Sequence, residues 1–157
     1  MSSSRKRHSN AFSLLEVVIV VAIIAILAAI GIPRMSRGSK GANDAAVSGN
    51  LAVLRNAIDL FSAEHGGAFP TAAAIENQLI QYTDVSGATS ASKTATHIYG
   101  PYLRSVPPLT VGTRKGQNGI AVADANDVGW IYTEASGDIR PNTTTETDDA
   151  GRLYSDY

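Results

Sequence analysis

The sequence predicts an α+β fold: a long N-terminal helix, apolar in its first half and amphipathic in its second, packed on a small antiparallel β-sheet. Three observations predict it. Between Phe12 and Ile32 the only strongly polar side chain is Glu16. Val47, Leu51, Leu54, Ile58 and Phe61 recur at spacings of four, three, four and three, the period of one helix face. Beyond residue 118, short runs rich in β-branched and aromatic residues alternate with turn sequences.

Residues 1–11 are polar and basic, with Arg5, Lys6 and Arg7 in succession. The apolar run over residues 12–32 rises about 1.5 Å per residue as a helix and so reaches roughly 30 Å, the thickness of a bilayer's hydrocarbon core. Basic residues ahead of such a span favour a cytoplasmic N-terminus, which puts the body of the chain on the far side. Pro33 is expected to kink the helix as it leaves the apolar run. The helix then continues, amphipathic, over residues 33–65, and "HGGAFP" ends it by backbone geometry.

A second, short helix is expected over residues 71–83, with Thr71 as its N-cap. Residues 84–97 read as a loop, and the prolines of "IYGPYLRSVPPLTVG" rule out a central strand through most of that segment. Residues 120–123, 129–134 and 138–140 read as strands separated by "DAND" and "ASG", forming an antiparallel sheet. The acidic tail "TTTETDDAGRLYSDY" reads as a loose surface segment with two tyrosines able to dock.

Charge and composition exclude several functions. Without residues 1–11, ten basic side chains face fourteen acidic ones, so nucleic acid is not expected as a partner of the body. The chain has no cysteine, hence no disulfide, no thiolate nucleophile and no cysteine metal site. His8, His65 and His97 are far apart, and neither a zinc spacing nor a nucleophile elbow nor a phosphate-binding loop is present, so no enzyme chemistry is expected. His65 reads as a helix-end residue. Trp130 and Tyr132 share one face of a strand, more simply packed on the helix than exposed for binding.

Glu16 poses the functional question. A carboxylate in a membrane segment costs on the order of 3 kcal/mol and needs a partner. An ordinary secretory signal does not account for it: the apolar run is too long, it contains Glu16, and Pro33 sits just past the small-residue "AIG". Cleavage between Ala11 and Phe12 supplies a partner, a new α-amino group on Phe12 four residues before Glu16, within one chain or between neighbours.

"RKRHSNAFSLLEVVIVVAIIAILAAIGIP" resembles the class III leader and first half-helix of type IV pilins and of the pseudopilins of type II secretion systems. The match includes the basic leader, a small residue at the cut, Phe12, Glu16, the aliphatic run and Pro33; Ala11 stands where the family usually has glycine. The resemblance implies a leader over residues 1–11, removed by a prepilin peptidase that N-methylates Phe12. It further implies a transmembrane half-helix over 12–32, its amphipathic continuation over 33–65 and a periplasmic globular domain over 66–157. Glu16 then recruits subunits into a homo-oligomeric filament built by an inner-membrane assembly platform of a bacterial secretion or pilus machine.

"YGPYLRSVPPL" and "GWIYTEASGDIRPN" resemble the strand-and-loop region of major pseudopilins, although the usual aspartate-proline-tryptophan-glycine element is replaced by Pro107, Pro108 and Leu109. That resemblance favours a pseudopilin over the alternatives, a surface pilus subunit for adhesion, motility or DNA uptake, and an uncleaved single-pass anchored binding module. It also implies calcium near the C-terminal loop, for which Asp124 and Asp127 are the candidates, with Asn126, Asp148 and Asp149 nearby.

Overall fold

The computed structural model describes residues 13–157, with the side chains of residues 31–37 outside the description. The chain divides into two compact units, residues 1–39 and 40–157.

Helix α1, Leu14–Glu64, runs through 51 residues and enters both units. In the first unit every large apolar side chain of residues 14–30 is exposed, from 49% at Val17 to 84% at Leu14. A helix apolar on all faces finds its stable environment in lipid or in a large core, not in water. Among the described residues no helix is long and apolar enough to cross a membrane. The span expected over 12–32 extends past the described apolar side chains at both ends, and the kink expected at Pro33 falls on a side chain outside them.

In the second unit α1 is amphipathic as its period requires. Val47, Leu51, Leu54, Ile58 and Phe61 are at most 2% exposed and form one core with Trp130, Tyr132 and Ile139. Trp130 and Tyr132 therefore face inward, and their polar atoms find partners: Trp130 Nε1 donates to Pro107 O at 2.8 Å and Tyr132 Oη to Pro70 O at 2.8 Å. The helix ends in a Schellman turn, with Gly66 at φ 66° and Gly67 N donating to Ser62 O at 2.8 Å. His65, at that end, is buried and stacked on Phe61, its Nδ1 2.8 Å from Phe61 O and its Nε2 2.9 Å from Asp84 O.

Helix α2 is shorter than expected, Ile75–Ile80, because residues 71–74 form turns and 82–83 leave in a strand. Its N-cap position is Ala74, not Thr71, and no side chain caps it. Thr71 instead accepts Ala74 N on its carbonyl and donates its own N–H to Gln78 Oε1.

Five strands follow: β1 Tyr82–Thr83, β2 Thr89–Ser90, β3 Gly119–Ala121, β4 Val128–Thr133 and β5 Asp138–Pro141. The pair β1–β2, within a region expected to be loop beyond Thr83, is antiparallel. The larger sheet runs β3-β4-β5 and is mixed: β4–β5 is antiparallel as expected, whereas β3–β4 is parallel. Parallel neighbours ordinarily need a crossover of a dozen residues. Here β3 has only three residues, about 10 Å, which the short connection over 122–127 can retrace.

The tail is ordered rather than loose. A 3-10 turn, Tyr154–Asp156, buries Tyr154 to 3% exposure, and Thr147 bridges Leu153. Helix α1 supplies its anchors: Asp44 accepts Tyr154 Oη and Asp149 N, Lys40 Nζ reaches Asp148 O at 3.2 Å and Asp149 at 3.3 Å, and Arg55 Nη2 donates to Tyr157 O at 2.6 Å.

Candidate functional site

The first turn of α1 carries Glu16, and the sequence around it closes the helix start. Ser13 precedes the first helical residue; Leu15 N donates to Ser13 Oγ at 3.3 Å, and Ser13 N donates to Glu16 Oε2 at 3.5 Å. This is a variant of the capping box, with the hydroxyl on the N–H of Leu15 rather than of Glu16; its Ser-x-x-Glu pattern is readable in the sequence over residues 13–16, and it assigns Ser13 a part that periodicity alone had not. It holds the carboxylate over the positive end of the helix dipole, where a negative charge is favoured. Glu16 thus lies at the start of α1, next to the position of the expected cut. Ala11 and Phe12 lie outside the described residues, so the pairing of Glu16 with the Phe12 amine does too.

The second candidate, the acidic turn proposed for calcium, is occupied by a guanidinium. Arg114 Nε and Nη2 donate to Asp124 Oδ1 and Oδ2 at 2.8 and 2.9 Å, and Nη1 donates to Asn126 Oδ1 at 2.9 Å. Asn142 Nδ2 adds a bond to Asp124 Oδ1 at 2.8 Å. The fork from Arg114, then Asn142, hold the Asp124 carboxyl below its usual range, and the bond to Asp124 raises Arg114. Asp127 contributes its carbonyl oxygen to Gly119 N at 3.0 Å, and its charge further favours the Arg114 cation.

Glu146 and Asp148 are also engaged within the chain. Glu146 accepts N–H groups from Thr144, Thr113 and Thr145, which hold its carboxyl down at about 2. Asp148 accepts Tyr157 Oη, Arg152 N and Ala150 N, and its carboxyl is lowered in consequence. Among the described residues no group of three or more His, Cys, Asp or Glu is placed to hold a metal ion. As placed, Asp124 and Asp127, the calcium candidates, do not fit the ion, because both Asp124 oxygens already face a cation from the chain.

Residues 6–32 match the family model described as the prokaryotic N-terminal methylation motif, which leaves residues 33–157 outside the match. No curated protein and no solved structure matches the chain. The matched segment contains Ala11, Phe12, Ser13 and Glu16, the residues at which the chain is similar to type IV pilins and pseudopilins. A motif of this kind implies processing by a prepilin peptidase and assembly into a filament.

Proposed function

We propose that the chain is the structural subunit of a pilin-like filament and that, within this class, it serves as a pseudopilin in type II protein secretion. The observation that carries the reading is the methylation motif over residues 6–32 coinciding with a carboxylate fixed in the first turn of a helix whose residues 14–30 are otherwise apolar. The absence of cysteine from the sequence and the segment "YGPYLRSVPPL" support the pseudopilin over a surface pilus subunit.

A prepilin peptidase cuts between Ala11 and Phe12 and methylates the new amine. The half-helix over 12–32 rests in the bacterial inner membrane, with the globular unit in the periplasm. An assembly platform then lifts subunits out of lipid, and their apolar half-helices bury one another. In that dry core a lone Glu16 carboxylate and a lone Phe12 ammonium are each costly, and together they compensate. A neighbour out of register leaves both unpaired, so the pair sets the offset between subunits. The work is mechanical and needs no catalytic group.

Electron microscopy of cells overproducing the chain tests the reading. Glu16→Ala and Glu16→Val are expected to insert into the membrane normally and to give few or no filaments; filaments of wild-type number and length from either variant contradict the role given to Glu16. Neighbouring genes for a secretin, an assembly ATPase and other secretion components support the pseudopilin, and a pilus gene cluster contradicts it.

A further inference from the structure

The sheet of the globular unit is closed by a hub that no motif in the sequence announced. Arg114 leaves the loop after Val111 and reaches the β3–β4 connection, where its three donor nitrogens meet Asp124 Oδ1, Asp124 Oδ2 and Asn126 Oδ1 between 2.8 and 2.9 Å. From the other side Asn142, 8% exposed, bonds Asp124 Oδ1 and Val128 O, both at 2.8 Å, and its backbone N–H bonds Gly129 O at 2.9 Å. Loop, connection, β4 and the end of β5 are thus tied through one carboxylate. The tie lies where the chain must reverse to lay β3 parallel to β4, the least ordinary feature of the topology.

We infer that Arg114 is the resident cation of this turn, a guanidinium built into the chain that does the cross-linking which the resemblance to major pseudopilins assigns to a bound calcium ion. Three acceptor oxygens converge on one positive charge, as they do at a cation site, but the planar fork matches a carboxylate bidentately and needs no dehydrated metal. The charge is also permanent, since a guanidinium does not lose its proton under physiological conditions. The globular unit therefore folds and holds its C-terminal segment without calcium. Arg114 acts within that unit alone, so its role stands or falls independently of filament assembly.

Thermal unfolding of the full chain in detergent, followed by the fluorescence of Trp130, tests it. The wild-type midpoint is expected to be the same in millimolar calcium and in an excess of chelator. A midpoint that rises with calcium, or falls with chelator, overturns the inference. Arg114→Ala is expected to lower the midpoint by several degrees, and Arg114→Lys, which keeps the charge and loses the fork, by a smaller amount; an unchanged midpoint in Arg114→Ala overturns it as well. Asp124→Ala combined with Arg114→Ala is expected to cost less than the sum of the two single variants, because both lose the same fork while each also loses a partner of its own, Asn126 for Arg114 and Asn142 for Asp124, whereas full additivity contradicts the coupling. The calcium and chelator comparison on the wild type needs no variant to fold.

Discussion

The indole Nε1 of Trp130 donates to the carbonyl oxygen of Pro107 at 2.8 Å, which joins the central strand β4 to the proline-rich segment wrapped over it. Trp130 is fully buried and packs in one core with Leu54 and Ile58 of α1, so a single side chain connects helix, sheet and loop. Trp130→Phe is expected to cost about 2 kcal/mol, from the lost hydrogen bond and a partly filled void. Trp130→Ala is expected to cost about 3–5 kcal/mol. Denaturant unfolding followed by circular dichroism checks both, and a Trp130→Phe variant as stable as wild type contradicts the joint.

The tail depends on Asp44. Its carboxylate accepts Tyr154 Oη and Asp149 N, and Tyr154 carries its ring into the core. Asp44→Ala is expected to raise amide exchange selectively over residues 147–157 while the β4–β5 amides keep their protection. Tyr154→Phe, which retains the ring, is expected to do less, at about 1–2 kcal/mol. Uniform exchange across the unit in Asp44→Ala contradicts a local anchor.

Glu146 gives the unit an acid limit. Its carboxyl is held at about 2 against an ordinary value of 4.5, by N–H groups that bond the ionised form. A depressed acid contributes its full stabilisation above the unfolded value and loses it as pH falls through the folded one. The unfolding midpoint is therefore expected to drop between about pH 4.5 and pH 2. Asp124 and Asp148, also lowered, add to the same slope. Glu146→Gln is expected to flatten this drop and to lower stability at neutral pH; a pH profile parallel to wild type contradicts it.

The β4–β5 turn requires glycine at residue 137. Gly137 lies at φ 73°, and a Cβ there runs into the ring of Phe69. Gly137→Ala is expected to cost about 2–4 kcal/mol, from backbone strain plus displacement of Phe69. Gly116, at φ 90° with open space around it, is the control. Its change to alanine carries backbone strain alone and is expected to cost less, as equilibrium unfolding of the two variants will measure.

Much of this architecture was legible in local pattern. The stripe from Val47 to Phe61 is buried as its helical period required, and β4 and β5 lie where the β-rich runs placed them, within a residue or two. What local pattern could not carry was pairing between distant segments. The direction of β3 depends on how the chain retraces itself before Val128, which no alternation of side chains records. The tail looked loose because its anchors, Lys40 and Asp44, stand about a hundred residues earlier. Asp124 stood as a calcium candidate on the resemblance to major pseudopilins, and nothing in the sequence links it to Arg114, ten residues earlier. At the N-terminal site Glu16 stood out by its chemistry, while Ser13 needed the capping box to be recognised.

The pairing proposed for Glu16 requires a chain start created by cleavage before Phe12. Intact-mass spectrometry of the chain purified from bacterial membranes tests it most directly. The expected species begins at Phe12 and is heavier by one methyl group. A mature protein that still carries residues 1–11 contradicts it, because Glu16 then has no new amine to pair with.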